Sequence, residues 1–136
     1  MIARLSLLLL LQSAAASSVL TTDEQDLRKF EPLVRAAARS PDHRALLRLV
    51  DLPLRVNTGG RRVRTHYYRT ARSIEQNFSR IFPPAILAIM RTGTYETAGT
   101  GKGMIGIGEV WFARPCHTRI CDLEGPGPFR ISVINL

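Results

Sequence analysis

The feature that most constrains the fold of this sequence is a change of pattern at Gly93, where helical periodicity ends. On its N-terminal side, apolar residues recur three or four positions apart, as is typical of amphipathic helices. These helical segments span residues 22–38, 41–50, 73–82 and 84–90. On its C-terminal side, the segments 95–98, 104–112 and 129–136 are strand-like and are separated by turns rich in glycine or proline.

A hairpin of two strands is predicted before this change. Residues 51–57 alternate between apolar and other side chains, and residues 61–66 can return beside them after a glycine turn. Pro53 predicts an edge position or a strand start, because proline cannot donate to a sheet ladder. Pro32 predicts a kink in the first helix, or a later start for it. Helices followed mainly by strands predict an α+β fold with an antiparallel sheet, rather than alternating βαβ units.

The N-terminus has the three-part pattern of a secretory signal peptide over residues 1–16. A short positive end at 1–4 precedes an apolar run at 5–11, and the small residues at 14–16 are typical of a cleavage site. This run is far shorter than the roughly 20 apolar residues that a spanning helix needs. We therefore expect an exported chain, periplasmic or secreted, whose mature part has no transmembrane segment.

The mature part, residues 17–136, is long enough to bury one hydrophobic core and too short for two, so we expect a single domain. The chain has 19 basic and 11 acidic residues, which gives a net charge of +8. Such a charge predicts attraction to acidic partners, such as anionic envelope polymers or lipids. Because the chain carries an export signal, we do not expect nucleic acid among its partners.

Cys116 and Cys121 are the two cysteines of the sequence. In a chain sent to an oxidising compartment, this pair predicts a disulfide that closes a small loop. His117 lies beside the first cysteine and suggests zinc as an alternative, but zinc would need a fourth ligand from elsewhere in the chain. We expect the disulfide, with no metal and no cofactor.

Gly101, Gly103 and Gly106 have the G-x-G-x-x-G spacing of a dinucleotide-binding turn. That fingerprint requires a strand before it and a helix after it, so that the pyrophosphate lies at the helix N-terminus. Here a strand-like segment follows. We therefore predict that these glycines form a hairpin turn and the bulged start of a strand.

Glu109 lies in the predicted strand 104–112, on the same face as Ile107 and Trp111. Since both faces of that strand are apolar, the carboxylate is expected to be partly buried, and a desolvated carboxylate can serve as a general base. The simpler alternative, which we favour, is a glutamate at a strand end that pairs with an arginine.

His66, Tyr67 and Tyr68 form a polar and aromatic cluster just before a helix. Such side chains can line the mouth of a pocket and orient a ligand. They are more often half-buried packing residues with a solvated tip, so both interpretations stay open at this point.

Three segments resemble those of a known family: LVDLPLRVN at 49–57, GMIGIGEVWF at 103–112 and ISVIN at 131–135. They are similar to segments of exported bacterial members of the nuclear-transport-factor-2-like, or SnoaL-like, superfamily, and the order of helices and strands resembles theirs. The resemblance implies N-terminal helices packed on a curved antiparallel sheet, the cystatin-like cone, with a conical pocket between them. It also allows a homodimer, because many members dimerise through the sheet.

The superfamily contains isomerases, dehydratases and cyclases, alongside many members with no catalysis. No acid–base pair of this sequence falls in a motif of the superfamily, and fold alone does not decide function. We therefore favour a small, non-enzymatic binding module of unknown ligand that uses a pocket or its basic surface. Its expected pocket residues are Tyr67, Tyr68, Glu109 and Trp111.

Two alternatives remain. The first is a pocket enzyme that transfers a proton, with Glu109 as the base and His66 or Tyr67 as the acid or orienting group. The second is an envelope protein that acts as an inhibitor or immunity-type partner.

Overall fold

The computed structural model describes residues 20–115 and 128–136. Within these ranges the helices are α1 (Thr22–Arg39), α2 (His43–Leu47), α3 (Ala71–Gln76), α4 (Phe78–Ile81) and α5 (Pro84–Thr92). The strands are β1 (Val50–Thr58), β2 (Arg64–Tyr68), β3 (Tyr95–Thr97), β4 (Lys102–Ile105), β5 (Val110–Ala113) and β6 (Arg130–Asn135). The predicted signal peptide and the predicted disulfide both lie outside the described residues.

The N-terminus of α1 follows directly from its sequence. The Thr21 side chain accepts a hydrogen bond from the Glu24 backbone N–H, and the Glu24 side chain accepts one from the Thr21 N–H, which completes a capping box. Pro32 lies inside the helix, which continues to Arg39. The alternative of a later helix start is therefore wrong. Pro84 is the first residue of α5, a position where the missing N–H costs nothing.

The described strands form one six-stranded mixed sheet in the order β2-β1-β6-β5-β4-β3, so the α+β class is confirmed. The prediction of an antiparallel sheet is wrong at one position, because β1 and β6 run parallel. The other neighbouring strands are antiparallel. The pattern of a strand determines which face is buried, but it does not determine which distant strand lies beside it.

Pro53 lies in a strand with neighbours on both sides, so the edge prediction is wrong. Pairing of β1 with β2 begins only at Leu54, and the register with β6 is interrupted between Val50 and Arg55. The proline therefore occupies a stretch of β1 where the ladder is already incomplete, which is compatible with its missing donor.

The predicted strand 104–112 is two strands, which is a second correction. The chain turns between Ile105 and Val110, where Gly106 and Gly108 have φ values of 76° and 106°. Glycine adopts this left-handed region without a steric penalty, so the two glycines allow a tight connection. The predicted hairpin turn is confirmed at Gly101, since β3 and β4 pair on either side of it. The predicted bulge at the start of β4 is wrong, because the pairing of β4 with β3 and with β5 has no register shift.

The hydrophobic core contains side chains from both helices and strands. The ring of Phe30 on α1 lies 5.1 Å from that of Phe112 on β5, and Phe112 lies 5.0 Å from Phe129, centroid to centroid. All three are buried. Among the described residues, no helix has the length and apolar character needed to cross a bilayer.

Candidate functional site

The structure places the predicted pocket residues in three different positions. Tyr67 on β2 pairs with Arg55 on β1. Arg55 pairs with Val133 on β6, and Val133 pairs with Trp111 on β5. Tyr67 and Trp111 therefore share one face of the sheet, but β1 and β6 lie between their strands. Three strand spacings correspond to about 14 Å. A small ligand could not contact both side chains.

His66 and Tyr68 lie on the opposite face from Tyr67, because neighbouring residues of a strand point in opposite directions. His66 is opposite Val56, in a row whose members on the inner strands are buried. The rings of His66 and Tyr68 contact each other, with centroids 4.4 Å apart. His66 and Tyr67 are exposed, because β2 is an edge strand of the described sheet.

Glu109 belongs to the turn between β4 and β5, not to a strand as predicted. Its Oε2 accepts a hydrogen bond from the backbone N–H of Ile107 at 2.6 Å. Trp111 is close by, and its indole N–H donates to the Gly108 carbonyl at 3.1 Å. The structure therefore brings Glu109 and Trp111 together, but their polar atoms bind the backbone of the turn.

A cavity of about 280 Å³ lies elsewhere, at the starts of β1 and β6. We call it the Phe129 cavity. Its apolar lining comes from Phe30 and Leu33 on α1, from Leu49 just before β1, and from Pro128 and Phe129 just before β6. This volume lies just below the usual range of about 300–1,000 Å³ for ligand pockets, which suits a small, partly apolar molecule.

The charged lining of this cavity is mostly basic. Lys29, Arg48 and Arg130 all contribute to it, and none of them forms a salt bridge with a described residue. Arg130 is held in place by a hydrogen bond from its Nη1 to the Arg48 carbonyl, at 2.6 Å. Three cations around an apolar floor attract an anion that carries an apolar group.

The acidic residue of the lining, Asp26, is already engaged. Its Oδ2 lies 2.7 Å from Nη1 of Arg114, whose Nη2 lies 2.7 Å from Oδ1 of Asp23. The same guanidinium lies over the Phe129 ring, 4.4 Å from its centroid. Arg114 therefore compensates the charge of both carboxylates of α1 and supports the wall of the cavity. Because Asp26 is paired with Arg114, it does not neutralise the basic residues at the rim.

The pKa of Asp23 is lowered by its surroundings. The largest cause is a hydrogen bond from the Gly101 backbone N–H to Oδ2, at 2.8 Å, and the second is the hydrogen bond from Arg114. Both favour the charged carboxylate. Gly101, the first glycine of the G-x-G-x-x-G pattern, therefore connects the β3–β4 turn to the first turn of α1.

Comparison with known proteins found no matching family model, no matching curated protein and no matching solved structure. The Phe129 cavity could not be predicted from the sequence, because its lining comes from three segments that are distant in the chain. The sequence signal of this cavity is a basic residue next to an apolar one, which occurs in the dipeptides Lys29-Phe30, Arg48-Leu49 and Phe129-Arg130.

Proposed function

We propose that this chain is an exported binding module for a small amphipathic anion, which it holds in the Phe129 cavity. The observation that carries the proposal is an apolar cavity surrounded by Lys29, Arg48 and Arg130, three cations without a salt bridge to any described residue. An apolar group would displace water from the floor, while an anionic group would be attracted to the rim.

The wider setting of the module is also a proposal. We propose the cystatin-like cone of the SnoaL-like superfamily, a periplasmic or secreted location, and a disulfide between Cys116 and Cys121. The order of helices and strands supports the first, and the sequence patterns support the other two. Native mass spectrometry of the protein purified from the periplasm tests the location and the disulfide together. It should report the loss of residues 1–16, the loss of two hydrogens for the disulfide, and any retained anion.

Binding is favoured over proton transfer because of the position of Glu109. This carboxylate accepts a hydrogen bond from the N–H of Ile107 and so stabilises its own turn. His66 and Tyr67 belong to β2, whereas the turn that holds Glu109 follows β4, with β1, β6 and β5 between these strands. The proposed base and its proposed partners therefore lie too far apart to act on one small molecule.

Isothermal titration calorimetry tests the ligand class. Octanoate should bind to the wild-type protein, and octanol, which has a similar chain and no charge, should bind far more weakly. The variant Arg48→Gln should weaken octanoate binding by about tenfold, since it removes a charged hydrogen-bond donor. Arg62→Gln is the matched control, because Arg62 is an exposed arginine beyond the other end of β1. Equal affinity for octanoate and octanol would refute the proposal.

A further inference from the structure

A second surface lies at the opposite end of β1 from the Phe129 cavity. The β1–β2 connection, the β4–β5 turn and the residue after β6 all meet at this edge of the sheet, because Asn57 pairs with Asn135 and Val110 pairs with Ile134. Each of them exposes a large aliphatic side chain. The exposed fractions are 64% for Val63, 92% for Ile107 and 45% for Leu136.

The same edge is strongly basic. Arg61, Arg62 and Arg64 flank Val63 in the β1–β2 hairpin, and all three are exposed. They belong to the segment 52–74, which contains six arginines and no acidic residue. None of the three forms a salt bridge with any residue that the structure describes. We call the three aliphatic residues and these three arginines the Ile107 edge.

Ile107 is presented by a well-supported turn. The Gly108 carbonyl accepts hydrogen bonds from the Trp111 indole N–H and from Nδ2 of Asn135, the second at 2.6 Å. Glu109, the acidic residue of this turn, accepts the N–H of Ile107 itself. The exposed isoleucine is therefore held at a fixed position by its neighbours. Apolar side chains that are exposed together, rather than singly, mark interaction surfaces.

The three segments of the edge are also fixed relative to one another. The Thr65 hydroxyl donates to Oδ1 of Asn57 at 2.8 Å, and Nδ2 of Asn57 donates to Oδ1 of Asn135, also at 2.8 Å. Asn135 then donates to the β4–β5 turn. This chain of side-chain hydrogen bonds links β2, β1, β6 and the turn, so the aliphatic residues are displayed together.

We infer that the Ile107 edge docks onto an anionic lipid bilayer. The aliphatic side chains would enter the interface, and the arginines would lie against the lipid phosphates. Charge complementarity favours an acidic surface, and the exposed aliphatic residues among the arginines favour a bilayer over a soluble polyanion, because only the bilayer offers an apolar layer beneath the charge. This inference does not depend on the ligand proposed for the Phe129 cavity.

Vesicle co-sedimentation tests the inference. Vesicles of equal parts phosphatidylglycerol and phosphatidylcholine should bind the wild-type protein, and vesicles of phosphatidylcholine alone should bind it weakly. Arg62→Gln should reduce the affinity by about fivefold, the effect of one basic residue near an anionic membrane. Arg48→Gln, which removes the same charge at the other end of β1, should leave it unchanged. Every variant carries the same N-terminus as the wild type, so the comparison isolates the substituted residue.

The aliphatic contribution has its own pair of variants. Ile107→Ser should reduce vesicle binding by about tenfold, because it removes apolar area that the bilayer buries. The control Leu33→Ser removes an exposed leucine of α1 and should have no effect. Two results would overturn the inference. One is unchanged vesicle binding by Ile107→Ser together with complete displacement by inorganic polyphosphate, which indicates a soluble polyanion. The other is a wild-type dimer that dissociates in Ile107→Ser, which indicates a second copy of the chain.

Discussion

The hydroxyl of Tyr95 is buried and donates to the Met90 carbonyl at 2.6 Å. Burial raises the pKa of this phenol well above its usual value of about 10, since the charged form would lose its hydration. A group whose folded pKa is raised gives its full stability below the unfolded pKa. The free energy of unfolding should therefore fall as the pH rises above about 10.

Tyr95→Phe tests this assignment. The variant should cost about 1 kcal/mol at neutral pH, because the Met90 carbonyl loses its partner. It should also show a smaller loss of stability above pH 10, since no buried phenol remains to ionise. Urea unfolding across this pH range measures both effects. Tyr67→Phe, at an exposed position, is the control and should keep the wild-type pH dependence; a Tyr95→Phe curve parallel to the wild type would contradict the assignment.

Asp23 gives the opposite pH dependence. The N–H of Gly101 and the guanidinium of Arg114 lower its pKa below the ordinary value of 3.8. The stability that it contributes is present above that value and is lost as the pH falls below it. Asp23→Asn should therefore lower the free energy of unfolding by about 1 kcal/mol at pH 7 and have a smaller effect at pH 3. Glu96→Gln, an exposed carboxylate on β3, should show no comparable loss at pH 7 in the same urea titrations.

At the scale of elements, the three glycines of the G-x-G-x-x-G pattern have separate structural roles. Gly101 and Gly106 have φ values of 71° and 76°, and Gly103 lies in β4 directly opposite Phe112. A Cβ on Gly103 would collide with the Phe112 ring and with the Glu96 carbonyl. The spacing therefore reflects two turns and one close contact between strands.

Gly103→Ala should destabilise the protein by about 2 kcal/mol, because the added methyl group overpacks a buried position. Gly60→Ala is the control, since a Cβ there meets nothing within 4 Å, and its free energy of unfolding should stay close to that of the wild type. Thermal or urea unfolding gives the comparison. Equal stability of the two variants would mean that β4 and β5 do not approach each other at Gly103.

Local signals predicted most of the elements. The starts of α1 and α5 and the hairpin between β3 and β4 can be predicted from a few adjacent residues, because each effect acts within one turn of chain. The parallel pairing of β1 with β6 was missed, since it joins residues such as Val56 and Ile134 that no local pattern connects. The Phe129 cavity was missed for the same reason, and Glu109 was misplaced because two glycines converted a predicted strand into a turn.

At the scale of the whole molecule, the two proposed sites are separated along β1. The Phe129 cavity includes Arg48 and Leu49, just before β1, and the hairpin of the Ile107 edge follows Thr58. Nine residues of strand span about 26 Å, whereas charges in physiological salt are screened over about 8 Å. Although the chain has a net charge of +8, we therefore expect the basic residues of the Phe129 cavity and those of the Ile107 edge to act on their partners separately.

This separation predicts that the two activities are independent. Ile107→Ser should keep the octanoate affinity within about twofold of the wild type, and Arg48→Gln should keep the vesicle affinity within the same range, because substitutions far apart add without coupling. The double variant should show both losses, each equal to that of its single variant. Calorimetry and vesicle co-sedimentation on the same four proteins measure the set. If Arg48→Gln weakened vesicle binding as much as Arg62→Gln, docking would depend on total charge, and the geometry of the Ile107 edge would not explain it.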